Sequence, residues 1–211
     1  IEICLHHLIE QGASEVVVNV HHFAQQIIDY VNSHEWPISI RISNESEELL
    51  NTGGGLRKAG ELFTADGQPI LIHNVDILSN APIKDFYQNH LSHDATLLVS
   101  ERNTQRYLLF DDDMRLRGWT NIATGEVRSP FANIEPEKLH RYAFSGIHMF
   151  SPRLFTRMQS YPKVFPIMDF YLNECAKADI RGCVQPNLQL MDVGKLNTLH
   201  EAEHFVNELG L

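Results

Sequence analysis

The segment Gln68-Pro-Ile-Leu-Ile-His-Asn-Val-Asp-Ile-Leu-Ser-Asn80 is the main indication of the fold class in this sequence. Its apolar run, Ile70–Ile72, is typical of a strand that is buried on both faces of a parallel sheet. Polar residues end this run, among them Asn74 and Asp76. In open α/β sheets, ligands bind outside the carboxyl ends of the strands. Asp76 is therefore a candidate magnesium ligand, and an aspartate that caps a turn is the alternative.

The rest of the chain alternates between strand and helix patterns. Over the first hundred residues this alternation predicts βαβ units, that is, an α/β fold with a mostly parallel central sheet flanked by helices. After Glu101, two strand-like segments, 107–110 and 115–119, flank the turn Asp111–Met114, which predicts a small projecting β-hairpin. We expect one domain, residues 1–211, within which residues 102–141 form the hairpin and an irregular insertion.

Composition and charge narrow the function classes. The net charge is −10, and nucleic-acid binding needs a basic face, so we expect no nucleic-acid partner. No apolar run approaches the roughly 20 residues of a membrane span, so we expect no membrane partner. Three unpaired cysteines fit a reducing, cytoplasmic setting. The chain begins at Ile1 in an apolar helical pattern without a start signal, so we expect that an N-terminal portion is missing.

Three glycine-containing motifs are candidates for chemistry. Three glycines follow Asn51-Thr52, and we expect their backbone, with free amide donors at a helix N-terminus, to approach a flat or anionic ligand. A flexible turn is the alternative. Gly146 interrupts an aromatic strand, so it leaves space for a ligand or marks a bulge. Asp192 ends a third strand and would complete a magnesium site with Asp76 if the fold brings the two together.

In this order, the motifs resemble those of the sugar-nucleotide pyrophosphorylases, and they resemble N-acetylmuramate-1-phosphate uridylyltransferases and mannose-1-phosphate guanylyltransferase-like proteins in particular. The stretches that carry the resemblance are Val17–His21, Asn51–Leu56, Ile70–Asp76, Phe144–Ile147 and Met191–Gly194.

The resemblance implies a Rossmann-like sheet and a set of site residues. Asp76 and Asp192 would be catalytic and would hold Mg²⁺. The nucleotide would lie against Thr52, Gly53, Gly54 and Gly55. The sugar would lie near Asn74 and Gly146.

The resemblance also implies a reaction. A sugar 1-phosphate attacks a nucleoside triphosphate, UTP or GTP, to give a sugar nucleotide and pyrophosphate. The family usually carries glycine or serine where Val75 stands, and threonine where Lys195 stands. It also opens with a strand and an arginine-containing phosphate loop, which would precede Ile1. Candidate cations for the pyrophosphate are Arg57, Lys58, Lys163 and Lys195.

Two alternatives to this enzyme are open. One is a non-catalytic protein of the same fold that binds a sugar nucleotide or regulates a partner. The other is a glycosyltransferase that uses Asp111–Asp113, although a turn is the simpler interpretation of these residues. Assembly into a homo-oligomer is left open.

Overall fold

The computed structural model describes residues 1–194 and 199–210. Within them, the helices are α1 (Glu2–Glu10), α2 (Ala24–Ser33), α3 (Asn51–Gly60), α4 (Ile83–Asn89), α5 (Phe155–Met158), α6 (Ile167–Glu174) and α7 (Leu199–Leu209). The strands are β1 (Glu15–Val20), β2 (Ser39–Asn44), β3 (Ile70–His73), β4 (Ile77–Ser79), β5 (Ala95–Ser100), β6 (Arg106–Phe110), β7 (Leu116–Asn121), β8 (Glu126–Arg128), β9 (His140–Phe150), β10 (Ile180–Val184) and β11 (Leu190–Asp192).

The predicted α/β class is confirmed, but the prediction of a mostly parallel sheet is wrong. Strands β1 and β2 pair in parallel, as do β5 and β10. The long strand β9, however, runs antiparallel to β3, β5 and β6. A short apolar run such as that of β3 shows that a strand is buried, but it does not encode the direction of the partner strand. The large sheet is therefore mixed, in the order β10-β5-β9-β6-β7-β8, with β3 added beside β9.

The predicted hairpin exists, but it extends the sheet instead of projecting from it. Strand β6 pairs with both β7 and β9, and β8 adds an outer strand that the sequence did not predict. The aspartates between β6 and β7 form a turn, in which Asp111 accepts hydrogen bonds from Arg117 and from the Asp113 and Arg115 amides. Burial opposes ionisation of Asp111, yet these hydrogen bonds hold its pKa below the usual range. Asp111 is thus a turn residue.

The core lies where β5 and β9 pack against α6. Every residue of β5 is buried, which explains why apolar residues predominate in its sequence. Helix α6 covers this surface with aromatic side chains, of which Phe170 and Tyr171 are fully buried. The hairpin contributes to the same core through Leu108, Phe110 and Leu116. This packing makes β9 a rigid support for the polar residues along it.

A cleft of 1490 Å³ runs between β1 and β3. Among the described residues, β1 pairs with β2 alone and β3 pairs with β9 alone, so each strand has one unpaired edge. Residues of both strands line the cleft, together with α1, α3 and the polar segment after β3. In the part of the chain that the structure describes, no helix combines the length and apolar character that a membrane span requires.

Candidate active site

The two predicted metal ligands come together beside the cleft, which Asp76 lines. Strand β11 pairs antiparallel with β4, which places Asp192 opposite Ile77, the residue after Asp76. The Val193 amide also donates a hydrogen bond to the Asp76 carbonyl at 2.8 Å. A Cβ atom added to Gly194 would lie 3.1 Å from Asp192 Oδ1 and 3.2 Å from Asp76 Oδ2. The two carboxylates therefore face the same point in space, although 116 positions of sequence numbering separate them.

The donor chemistry of this pair fits a hard divalent cation. Carboxylate oxygens are the ligands that magnesium prefers, and magnesium is usually held by one or two of them together with water and substrate phosphates. The Asp76 side chain makes no hydrogen bond or ion pair with a described residue, whereas Asp192 Oδ1 accepts the Gly194 amide at 2.9 Å. Among the described residues, no group of three His, Cys, Asp or Glu side chains could hold a metal. The pair would thus form an open site that a substrate completes.

Asn74 and Gly146 also come together, as the resemblance implies. The Asn74 amide donates to the Gly146 carbonyl at 3.1 Å. Gly146 has φ +81°, and an added Cβ would lie 2.9 Å from Asn74 Nδ2. The pairing of β9 with β5 shifts register here, so both interpretations of this glycine apply: it lies in a bulge and permits close approach. Val75, between Asn74 and Asp76, lines the cleft and is 54% exposed.

The glycine motif is more tightly packed than the sequence predicts. The glycines lie in the first turn of α3, and the Gly53 and Gly54 amides both donate to the Phe165 carbonyl, at 2.9 and 3.2 Å. The expectation of free amide donors is therefore wrong for these two residues. A Cβ on Gly53 would lie 2.3 Å from the Phe165 ring, and one on Gly54 would lie 2.4 Å from the Lys163 carbonyl oxygen. Close packing against residues 163–165 already requires glycine at both positions.

Thr52 and Gly55 are the members of this motif that line the cleft. The Thr52 hydroxyl accepts the Ile167 amide at 2.9 Å and so fixes α3 against α6. Gly55 lies against Asn19 and against Glu45, a buried carboxylate that the sequence analysis missed. One Glu45 oxygen accepts the Leu50 amide at 2.9 Å. An acidic residue eight positions before a glycine run gave no signal of this role, because its burial depends on tertiary contacts.

The cations predicted to meet the pyrophosphate have other partners. Arg57 donates to four carbonyl oxygens in the segment 158–163, so it holds this segment in place. Lys58 donates to the Asn44 carbonyl, and Lys163 pairs with Glu48. Lys195 lies outside the described residues. The three described candidates thus have structural contacts that the sequence could not show.

Aromatic and cationic residues also line the cleft. Trp119 and Phe144 line its wall, and Arg102 and Arg106 line it as well. Next to Phe144, His148 is buried, and neither of its ring nitrogens has a hydrogen-bond partner among the described residues. Burial lowers the pKa of His148 to about 3, and nearby His73 acts in the same direction. The cleft thus contains the Asp76 carboxylate and the guanidinium groups of Arg102 and Arg106.

Known proteins resemble this chain in sequence over most of its length. The family model described as nucleotidyl transferase matches residues 1–208. The chain is 25% identical over 172 residues to mannose-1-phosphate guanyltransferase beta-B of Xenopus laevis, covering 76% of this chain and 45% of that protein. It is 25% identical over 211 residues to mannose-1-phosphate guanylyltransferase catalytic subunit beta of Dictyostelium discoideum, covering 95% of this chain and 52% of that protein. The chain spans about half the length of these relatives.

Solved structures share the fold at low sequence identity. The crystal structure of HddC from Yersinia pseudotuberculosis has a TM-score of 0.70 at 19% identity, covering 94% of this chain and 81% of that one. The inositol-1-phosphate CTP transferase from T. maritima has a TM-score of 0.70 at 9% identity, covering 96% of this chain and 79% of that one. These likenesses establish the α/β fold, and the family model covers nearly the whole chain. The chain belongs to the nucleotidyl transferase family.

Proposed function

We propose that the protein joins UTP or GTP to a sugar 1-phosphate, giving a sugar nucleotide and pyrophosphate. The observation that carries this proposal is the convergence of Asp76 and Asp192 beside Gly194, next to the cleft that Asp76 lines. The relatives support the same chemistry, because they are named as mannose-1-phosphate guanylyltransferases. A cytoplasmic setting, where both substrates would be available, is part of the proposal.

In this reaction an oxygen of the sugar phosphate attacks the α-phosphorus of the nucleotide. The new P–O bond forms as the bond to the β-phosphate oxygen breaks, and pyrophosphate leaves. The protein contributes mainly position and charge. Asp76 and Asp192 would hold magnesium, which when bound offsets the negative charge of the phosphate oxygens. Asn74 would donate its side-chain amide to a sugar hydroxyl beside Gly146, and Thr52 and Gly55 would border the nucleotide.

The assay is pyrophosphate release by the protein expressed from its complete gene, supplied with UTP or GTP and either mannose or glucose 1-phosphate. We expect release that needs both substrates. We also expect Asp76→Asn and Asp192→Asn to reduce it at least a hundredfold, since each removes a charged metal ligand. Asp112→Asn is the matched control, because Asp112 is an exposed aspartate in the hairpin turn whose side chain pairs with His140 and with no other described residue.

Two outcomes would contradict the proposal. Nucleotide binding without pyrophosphate release from any sugar phosphate would favour the non-catalytic alternative. Full activity in Asp76→Asn or Asp192→Asn would show that these carboxylates do not take part.

A further inference from the structure

Most arginines in the described part of the chain have acidic partners. Because the chain carries a net charge of −10, a carboxylate is usually within reach of a guanidinium group. The paired arginines include Arg41 with Glu15, Arg117 with Asp111, Arg128 with Asp169, Arg157 with Glu174, and Arg181 with Asp179. Among the described residues, arginines without such a partner are therefore the minority.

Arg102 and Arg106 are two of these exceptions, and both line the cleft. The Arg102 guanidinium donates one hydrogen bond, at 2.9 Å, to the Phe144 carbonyl and makes no ion pair with a residue in the described part of the chain. The Arg106 guanidinium makes no hydrogen bond or ion pair with any described residue. Each guanidinium carries five N–H donors, so most donors of these two groups have no hydrogen-bond partner among the described residues.

These arginines lie near the proposed sugar position. Arg102 follows the end of β5 and Arg106 begins β6, and both strands pair with β9. The Phe144 carbonyl that holds Arg102 is two residues before Gly146, which corresponds to about 7 Å along an extended strand. Gly146 in turn contacts Asn74. The Asn74–Gly146 contact thus lies between the two arginines and the two carboxylates.

We propose that Arg102 and Arg106 bind an oxyanion of the sugar phosphate substrate, either a carboxylate on the sugar or the phosphate itself. This inference rests on the proposed function for the identity of the ligand. The planar guanidinium group presents paired donors that match both carboxylate and phosphate oxygens. Trp119 also lines the cleft, and its ring is only partly buried, so it offers an aromatic surface for a sugar ring.

Isothermal titration calorimetry with two matched probes tests this site. Glucose 1-phosphate and glucuronic acid 1-phosphate differ only in the carboxylate at C6. Each probe is titrated into the unaltered protein, Arg102→Gln and Arg106→Gln. Arg141→Gln is the matched control, because Arg141 is also exposed and has no ion-pair partner within residues 1–194 and 199–210, but it does not line the cleft. We expect each cleft variant to weaken binding by about tenfold to a hundredfold, as for lost charge-assisted hydrogen bonds.

The pattern across probes identifies the oxyanion. A loss confined to glucuronic acid 1-phosphate assigns the arginines to a sugar carboxylate, and an equal loss for both probes assigns them to the phosphate. The proposal is overturned if both cleft variants bind both probes as tightly as Arg141→Gln does, or if the unaltered protein binds neither. Because the titration needs no turnover, a protein that binds the probes but releases no pyrophosphate would refute the proposed reaction and leave this site standing.

Discussion

Replacing Gly194 with alanine tests the shared carboxylate site in a way that leaves both aspartates in place. The added Cβ would lie 3.1 Å from Asp192 Oδ1 and 3.2 Å from Asp76 Oδ2. These contacts are too short for carbon and oxygen, so each carboxylate must retreat by a few tenths of an ångström. Magnesium demands near-ideal geometry with oxygen ligands at about 2.0–2.1 Å, so even a small retreat is costly. We expect the apparent magnesium affinity to fall by about tenfold to a hundredfold.

The assay is pyrophosphate release as a function of magnesium concentration. Gly194→Ala should shift the curve to higher magnesium, and activity should largely return at saturation. Gly194 is exposed, so the free energy of unfolding in the presence of a chelator should change by less than about 0.5 kcal/mol. An unchanged magnesium curve would refute the reasoning, and so would an equal loss of activity at every magnesium concentration.

Two further changes probe the packing around the cleft. Gly53→Ala should destabilise the protein by about 2–4 kcal/mol in urea unfolding, because its Cβ would lie 2.3 Å from the Phe165 ring. The loss should shrink in a Phe165→Ala background, and an unchanged loss would contradict this contact. His148 stays neutral in the folded protein until about pH 3, whereas in the unfolded chain it binds a proton near pH 6.5. Its contribution to stability is therefore lost as pH falls through this window, by up to about 1 kcal/mol per pH unit. His148→Leu should flatten the pH dependence, and parallel curves for the two proteins would contradict the assignment.

Apolar patterns were sufficient to predict most elements of this fold. The run 95–100 became the fully buried strand β5, and the alternating segment 38–42 became β2, shifted by one to two residues. The three-residue strand β4 was missed because so short a run carries no period. Strand direction was also missed, since β9 pairs antiparallel with three strands that are distant in sequence.

The site shows the same division between local and long-range information. Strand-end positions identified Asp76 and Asp192 as candidates, but only the family resemblance implied that they meet. The glycines at 53 and 54 were predicted to approach a ligand, whereas in the structure they pack against residues 163–165 of the protein itself. Their partner is the Phe165 carbonyl, more than a hundred residues away along the chain, and no local pattern could have identified it. Arg57 was missed as a structural residue for the same reason, because its four carbonyl partners belong to a distant segment.

The central claim is that Asp76 and Asp192 together bind one divalent cation. A double-mutant cycle on metal binding tests this claim most directly. Manganese, titrated as a paramagnetic substitute in the presence of the nucleotide, reports the affinity of the site in the unaltered protein, Asp76→Asn, Asp192→Asn and the double variant. We predict that each single change weakens manganese binding at least tenfold and that the double variant is little worse than either one, since both residues serve the same ion. Unweakened binding in either single variant would contradict the account, as would losses in the double variant that simply add.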